Sequence, residues 1–224
     1  MKSVFPNLTN PPIVESIIGF RVSKILTDSQ KSIVSEKLSK DFQKISNFPN
    51  ISSPSESRMI FSSDMEKDIT ITLYSDGIDL NYTKKYKEFD KLKRYFDKYI
   101  KELLNDIHPT LIVLRYINSF EGKNIDYIQN TIDRLKLFES SITTIHSFGI
   151  EHEYFSNFIK DNNKYSSANT LLIDRIQTDP FIEKVIFDIE TRVQVFSNNI
   201  NLDDILKNLR RIKNHIFFSL YENE

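Results

Sequence analysis

The chain has 224 residues, and its 30 basic and 31 acidic side chains leave a formal net charge of -1 at pH 7. A chain of this length can bury a sizeable core without disulfides or structural metal. It contains no cysteine, which excludes thiolate nucleophiles, iron–sulfur clusters, cysteine zinc sites and disulfide-stapled scaffolds. The balanced charge provides no global field for nucleic acid or anionic lipid. The chain also has neither a GxGxxG nor a GxxxxGK[ST] phosphate-binding pattern.

The first residues and the apolar runs bear on location. The segment MKSVFPNLTNPP lacks the apolar core of a signal peptide. No uninterrupted apolar run approaches the ~20 residues that span a bilayer. We therefore expect a cytoplasmic protein with no membrane association.

The first half of the chain opens with a strand pattern. After two prolines, residues 13–22 are apolar at every even position except Ser16, which is the period of a strand. The next segment, TDSQKSIVSEKLSKDFQKI, has apolar residues at helical spacing through Ile45. It predicts a first helix capped at Thr27 or Asp28, followed by a loop over 47–57.

A hairpin and a long helix complete this half. After the strand RMIFSS, two strands in DITITLYSDGIDLNYT fold about Ser75, Asp76 and Gly77, because Asp-Gly tolerates the positive backbone angles of a tight turn. Residues 86–107 then place their apolar side chains on one stripe. That stripe predicts a long amphipathic helix.

The second half repeats this order of elements. The strand TLIVLRYINSF comes first, and apolar spacing predicts a helix over 124–138. Three strand candidates follow, namely SSITTIHSFGIEHEYF, NTLLIDRIQ and EKVIFDIETRVQVF, and a helix capped at Asn201 closes the chain. Each half therefore has the pattern β-α-β-β-β-α.

These patterns predict an α+β fold made of two tandem β-α-β-β-β-α units, residues 1–107 and 108–224, packed as one compact domain. The duplication is inferred from element order, since the halves share almost no residue identity. The strands would form a mostly antiparallel curved sheet with the helices packed on one face. A ligand is expected on the concave face or beneath the two long helices. The order is reminiscent of TATA-binding-protein-like and helix-grip arrangements, an analogy that carries no function.

No group of residues has the spacing of a metal or catalytic site. On a single strand, His146 and His152 would lie roughly 20 Å apart, too far to bind one ion. Asp188 and Glu190 share a strand face and could bind a cation or act as acid and base, but the neighbouring Arg192 favours a solvated strand face. There is no GxSxG or SxxK nucleophile motif. We therefore predict no catalytic residue, no metal ligand and no cofactor, and we favour a protein that is not an enzyme.

The long helix over 86–107 overlaps a basic segment, KKYKEFDKLKRYFDKYIK, in which tyrosines alternate with lysines. Such a composition could stack on bases or contact phosphate. Interleaved acids instead favour the solvated face of an amphipathic helix, so nucleic-acid binding is not expected. A local nucleic-acid contact would use Lys84, Lys85, Lys87, Lys91, Lys93 and Arg94.

Short motifs support a family resemblance. The opening NPPIVES, the later RYINSF and the closing helix LRRIKNHIFFSLYENE resemble a sporadically distributed, uncharacterised family of bacterial and archaeal proteins of about this length. Its members begin with an Asn-Pro-Pro-Ile-Val-Glu-Ala-like segment and carry an Arg-Tyr-Ile-Asn-like strand near mid-chain. All residues from Asn10 to Glu15 match, and Ser16 departs from the family's Ala. The resemblance implies no activity, ligand or cofactor, and sporadic distribution implies an accessory role in an anti-phage defence or toxin-linked locus.

Both strand motifs place a charge inside an apolar strand. A buried charge needs a partner, because desolvating it alone costs several kcal/mol. We expect Glu15 to pair with Arg115 or Arg21 and to fix the register between strands. The alternative is that Glu15, Arg115, Tyr116 and Asn118 line a pocket.

The favoured function is a non-enzymatic binding or assembly protein that acts through protein–protein contacts, by self-association or with a protein partner. Its support is the absence of a catalytic pattern together with long amphipathic helices that could form an interface. The alternative is a small-ligand or nucleotide-sensing domain that uses the concave sheet face.

Overall fold

A computed structural model describes the backbone of nine stretches of the chain, and between residues 120 and 188 it describes no side chains. The stretches are 13–48, 58–83, 89–105, 107–121, 140–146, 149–160, 165–179, 182–195 and 201–221. The chain forms two compact units, the first over Glu15–Val113 and the second over Leu114–Glu224 with Met1–Val14. None of the helices in the described stretches has the length and apolar character needed to cross a bilayer.

The first unit is a five-stranded antiparallel sheet with helices. Its strands follow the order β2-β3-β4-β5-β1, and each neighbouring pair is antiparallel. A 3₁₀ helix, Lys101–Asn105, follows its last α-helix. The other elements are β1 (Ile13–Arg21), α1 (Asp28–Leu38), β2 (Gln43–Phe48), β3 (Arg58–Ser62), β4 (Ile69–Tyr74), β5 (Gly77–Tyr82) and α2 (Phe89–Tyr99).

The second unit has the same internal arrangement of strands. Its order is β6-β10-β9-β8-β7, so a four-strand meander again has the unit's first strand beside its last one. The pairs β7–β8, β8–β9 and β9–β10 are antiparallel. Helices beside antiparallel strands confirm the α+β class. The elements are β6 (Leu111–Glu121), β7 (Ser140–His146), β8 (Gly149–Lys160), β9 (Tyr165–Asp179), β10 (Ile182–Val195) and α3 (Leu202–Tyr221).

The core of the first unit lies on one face of its sheet. Ile18 and Phe20 of β1 are fully buried and lie opposite Leu80 and Ile78 of β5. Helix α2 packs on this face, since the ring of Tyr95 stacks on Tyr82 of β5 at 6.2 Å. The helix adds its buried apolar stripe of Phe89, Leu92 and Phe96. Each such side chain contributes roughly 1.5–3 kcal/mol through burial. The alternating apolar side chains of β1 therefore stabilise the packing of the helix on the sheet.

The core of the second unit lies between β6, β10 and α3. Leu114 and Ile189 are fully buried, as are Leu206 and Leu209 on the helix. Thr191 is buried among them, and its hydroxyl donates to the carbonyl of Leu114 at 3.1 Å. A buried hydroxyl without such a partner would be costly, so this bond lets β10 carry a polar residue in the core.

The caps and the hairpin predicted from sequence are confirmed. Thr27 caps α1 in a capping box with Gln30, and Asn201 accepts from the backbone N–H of Asp204 at 3.3 Å at the start of α3. Two residues, Ser75 and Asp76, connect β4 to β5. These caps supply partners for backbone N–H groups that have none within a helix.

The first helix is shorter than predicted. It ends at Leu38, where the Ser39 hydroxyl bonds the Glu36 carbonyl at 2.7 Å, and the chain then enters β2 instead of continuing to Ile45. Phe42 fits the helical spacing, yet it is buried against the edge of the Tyr99 ring at 4.8 Å. Pairing of β2 with β3 supplies hydrogen-bond partners for backbone groups that a longer helix would have paired internally. It also gives this half one strand more than predicted.

The second half also has one strand more than predicted. The segment taken as one strand turns between β7 and β8, and His146 pairs with Gly149 across the turn while His152 pairs with Thr143. The two histidines therefore lie on neighbouring antiparallel strands, and the separation expected for a single strand was wrong. The predicted helix over 124–138 lies outside the described residues, as do the first residues of the NPPIVES motif.

Gly77 is required for space. A Cβ at this position would overlap the carbonyl oxygen of Phe20 and lie 2.7 Å from Cδ of Arg21 on the paired strand. The sequence prediction attributed this glycine to a positive backbone angle, whereas the structure attributes it to the close approach of β1.

We expect Gly77→Ala to lower the free energy of unfolding by about 1–3 kcal/mol, because a backbone atom cannot move aside as a side chain can. Urea denaturation of the full chain measures the effect. Asp76→Ala is the matched control, since it changes the neighbouring residue and keeps the backbone bond from Val22 N–H to the Asp76 carbonyl. Equal stability of the two variants would contradict the close approach.

Candidate functional site

One face of the first-unit sheet is polar. The register places Gly19 opposite Asp79, Arg21 opposite Gly77, and Thr72 opposite Asp79. Because side chains alternate along a strand, the residues of this parity share the face away from α2. We call it the polar face. Its polar members on β1, β4 and β5 are Glu15, Arg21, Thr70, Thr72, Tyr74, Asp79 and Asn81.

An Arg21–Asp79 ion pair lies at the centre of the polar face. Nη1 and Nη2 of Arg21 donate to the two carboxylate oxygens of Asp79 at 2.6 and 3.0 Å, and Nη1 also donates to the carbonyl of Phe20. The side chains are 27% and 11% exposed. Gly19 and Gly77, which lie opposite these two residues, leave the room for the diagonal contact. A bidentate pair of this kind fixes strand register as well as charge.

Tyr74 extends the pair into a cluster. Its ring lies 4.7 Å from the Arg21 guanidinium carbon, a cation–π contact. Burial, with the nearby Asp79 carboxylate, raises the pKa of the Tyr74 hydroxyl. Burial lowers the pKa of Arg21, but the hydrogen bond and charge of Asp79, with smaller contributions from Tyr74 and Asp76, leave this pKa raised overall. The guanidinium is thus charged and contacts a carboxylate, a backbone carbonyl and an aromatic ring. These contacts favour a structural role for Arg21 over the binding of an external anion.

Glu15 has a partner that the sequence did not indicate. It is half-buried, and its Oε1 accepts from Asn81 Nδ2 at 3.0 Å. The predicted Glu15–Arg21 pair is wrong, because Arg21 binds Asp79 and six residue steps along β1 place the two roughly 20 Å apart. Arg115 belongs to the other unit, and the Glu15–Arg115 pair stays a prediction.

The second motif divides its residues between two faces of β6. Tyr116 and Asn118 are fully buried, whereas Arg115 and Ile117, which alternate with them along the strand, are half-buried. Asn118 Nδ2 donates to the carbonyl of Tyr116 at 3.3 Å. Tyr116 and Asn118 thus face the helix-covered core, and Arg115 lies on the other face of the strand. The pocket lined by Glu15, Arg115, Tyr116 and Asn118 stays a prediction.

Lys213 is a site residue that sequence reasoning missed. It lies on α3, is 6% exposed, and its Nζ is 4.0 Å from the centroid of the Tyr116 ring and 5.9 Å from that of Phe217. Burial, with the charge of Arg210, lowers the pKa of Lys213 to about 7. In the described part of the chain no carboxylate pairs with it.

A signal for Lys213 exists in the sequence. It lies four residues after Leu209 and four before Phe217, at the centre of the apolar stripe of the closing helix. A lysine on such a stripe usually extends its amine to solvent. Here the amine instead lies against two aromatic rings, and only the packing of α3 on β6 distinguishes these two outcomes.

The basic helix has its charges engaged within the chain. Lys93 pairs with Asp97 at 2.6 Å, and Arg94 Nε donates to the carbonyl of Asp90. Lys91 lies over the rings of Tyr82 and Tyr95. Cations and ring faces that bases or phosphates would need are thus partly occupied. Of the predicted nucleic-acid contacts, Lys84, Lys85 and Lys87 lie outside the described residues.

The carboxylates predicted as an alternative acid–base pair are only partly described. Glu190 Oε1 lies 3.3 Å from Arg192 Nε, which is the neighbouring arginine expected to offset its charge. Asp188 has no described side chain. Within the stretches that the structure describes, no three His, Asp or Glu side chains are placed to hold a metal ion.

We expect Arg21 and Asp79 to be energetically coupled. Arg21→Met and Asp79→Asn should each destabilise the protein by about 1–3 kcal/mol, because each leaves a half-buried polar partner behind. The double variant should cost about 1 kcal/mol less than the sum of the single variants. Urea unfolding of all four proteins closes the cycle. If the free-energy losses of the two single variants add up exactly in the double variant, the ion pair does not stabilise the register of β1 and β5.

Lys213→Met should stabilise the protein at neutral pH. The unfolded lysine binds its proton up to about pH 10.5, whereas the folded one releases it near pH 7. Between these values the unfolded state holds more protons, so the stability of the wild type rises with pH. The advantage of the Met variant should be greatest at or below pH 7 and vanish near pH 10.5.

Urea unfolding at several pH values between 6 and 10 measures this effect. Lys207→Met, a change of an exposed lysine on the same helix, is the control. If Lys213→Met shifts the free energy of unfolding equally at every pH, titration of Lys213 is excluded as the cause.

The chain has weak structural similarity to a solved protein. No family model matches the chain, and no curated protein does. The solved structure is described as "Crystal structure of the di-domain ARO/CYC StfQ from the steffimycin biosynthetic pathway". It is similar with a TM-score of 0.26 and 6% identity over 93% of this chain and 95% of that one. A likeness at this level carries no argument about fold or function.

Proposed function

We propose that this protein is a non-enzymatic assembly protein that self-associates through the edge of its first-unit sheet. The main support is the position of β2, which is an edge strand of the described sheet and pairs with β3 on one side. An edge strand presents backbone N–H and C=O groups to another chain. The polar face supports assembly over ligand binding, because Arg21 at its centre already binds Asp79.

Exposed apolar side chains lie beside this edge. Ile45 on β2 is 58% exposed and Met65 is 93% exposed. Gln43 of β2 donates to Asp64, the neighbour of Met65, at 3.1 Å, which links the segment of Met65 to this strand. Large apolar side chains that remain in water beside an unpaired edge are typical of a contact surface.

The edge also limits how a partner would bind. The register of β2 shifts between Lys44 and Ser46, and such a bulge bends the strand and shortens the ladder that another strand could add. A stable interface buries roughly 1,200–2,000 Å², more than one short strand supplies. Ile45 and Met65 would therefore contribute much of the contact.

A second copy of the chain is the occupant we propose. Two copies related by a twofold axis present the same edge to each other, and antiparallel pairing of β2 with itself satisfies that symmetry. The formal net charge of -1 offers little repulsion between copies. An anti-phage or toxin-linked setting, implied by the family resemblance, is compatible with such an assembly.

Internal duplication belongs to this proposal. In each unit a four-strand meander ends beside the unit's first strand, which is the arrangement expected of two copies of one ancestral unit. The proposal extends the predicted β-α-β-β-β-α repeat by one strand in each half.

Ile45→Lys should abolish self-association, because a charge at the centre of a paired edge remains unpaired there. Size-exclusion chromatography with light scattering over a wide concentration range measures the mass. Ile33→Lys is the matched control, since it alters an isoleucine that is 42% exposed on α1. A wild type that is monomeric at every concentration would exclude the assembly.

The alternative function, a small-ligand or nucleotide-sensing domain on the sheet face, has one observation in its favour. Thr72 and Asp79 are 5% and 8% exposed although they lie on the face away from α2, so this face is not simply open to water. Native mass spectrometry of the same sample distinguishes the two functions. A bound small molecule on a monomer would support the alternative and exclude assembly.

A further inference from the structure

A buried lysine at position 213 contributes little to the stability of the fold. A side chain of four methylenes fills space, but methionine fills a similar space without a charge to desolvate. The cation–π contact with Tyr116 returns about 0.5–2 kcal/mol to the ammonium, less than burial removes. The polar amine is thus a cost to the fold of the second unit, and costs of this kind concentrate at functional sites.

The immediate surroundings of the amine are aromatic, and its charged neighbour is an exposed arginine. From α3 they include Phe217 and, as the charged neighbour, Arg210. From β6 they include Tyr116, whose ring faces Nζ at 4.0 Å. The buried Asn118 lies two residues further along the same face. The composition of this setting, aromatic and apolar groups beside one reactive amine, is that of sites that bind an apolar body.

We propose that Lys213 is a nucleophilic amine that forms an imine with a small, uncharged aldehyde beneath α3. This goes beyond the assembly proposed above and is independent of it. The arrangement matches the way nucleophilic lysines are generally activated, which is by removal from water in an apolar pocket or by a second cation nearby. Arg210 supplies that second cation.

The covalent step requires no oxidant or reductant. The lone pair of Nζ attacks the carbonyl carbon, the carbonyl π pair moves to oxygen, and a proton passes from nitrogen to that oxygen to give a carbinolamine. Loss of the hydroxyl with the second amine proton then releases one water and leaves a C=N bond. An amine that is in part unprotonated near neutral pH, as burial makes Lys213, can start this step without a separate base.

The proposal also specifies the ligand. The rings of Tyr116 and Phe217 favour an aromatic or aliphatic body. A charged aldehyde would carry its own charge into the core, at a cost that the exposed Arg210 offsets poorly. We therefore expect benzaldehyde to react and glyoxylate to be excluded.

The test is reductive trapping on the full chain at pH 7. The protein is exposed briefly to stoichiometric benzaldehyde with cyanoborohydride, and peptide mass spectrometry locates the benzyl group. Lys213 should be labelled about tenfold faster than Lys207, because an ordinary lysine is almost wholly protonated at this pH. Lys213→Met should lose the fast adduct, and Lys207→Met should retain it.

Other outcomes overturn the proposal. Labelling of Lys207 with Lys213 unmodified in the folded protein would show that the amine is sealed in the core. Equal rates at the two lysines would remove its special reactivity. Fast labelling of Lys213 by glyoxylate would overturn the ligand class. Circular dichroism of both Met variants checks that each is folded, so that a lost adduct reports on the amine.

Discussion

The antiparallel pairing of β1 with β5 determines where the side chains of the first unit point. With Ile18 opposite Leu80, the apolar half of β1 enters the core beneath α2. The same register brings Arg21 within reach of Asp79 on the opposite face. A shift by one residue would move both sets to the wrong side. The core and the ion pair therefore support the same register, one by burial and the other by charge.

The two units treat charge in opposite ways. Arg21 has a bidentate carboxylate, a backbone carbonyl and an aromatic ring around its guanidinium, and removing the carboxylate would leave a half-buried charge without its counter-charge. Lys213 has two aromatic rings and a cationic neighbour. The first arrangement stabilises the charged form, whereas the second disfavours it. Of the two groups, Lys213 is the one whose protonation changes near neutral pH.

Local patterns allowed much of the fold to be predicted. The alternation in β1, the Ser75–Gly77 hairpin and the buried stripe of α2 each follow from residue spacing within one element. The end of α1 could not be predicted in this way. Phe42 and Ile45 fit a helix by spacing, and their place in or beside β2 depends on pairing with β3, which begins ten residues after β2 ends. Such non-local pairing is invisible to a pattern of period 3.6 or 2.

The candidate site shows the same boundary between local and non-local information. Sequence alone indicated that Glu15 and Arg21 are charges in an apolar strand, but their partners, Asn81 and Asp79, lie 66 and 58 residues away in the chain. The position of Lys213 on an apolar stripe was visible, while its depth was not, because a lysine stem covers apolar surface equally well with its amine in water. What decides the matter is Tyr116, a residue already singled out on β6 for another reason. Its ring takes the place that solvent would have around the amine, and this substitution of an aromatic face for water turns an ordinary surface lysine into the most chemically distinctive group that the structure describes.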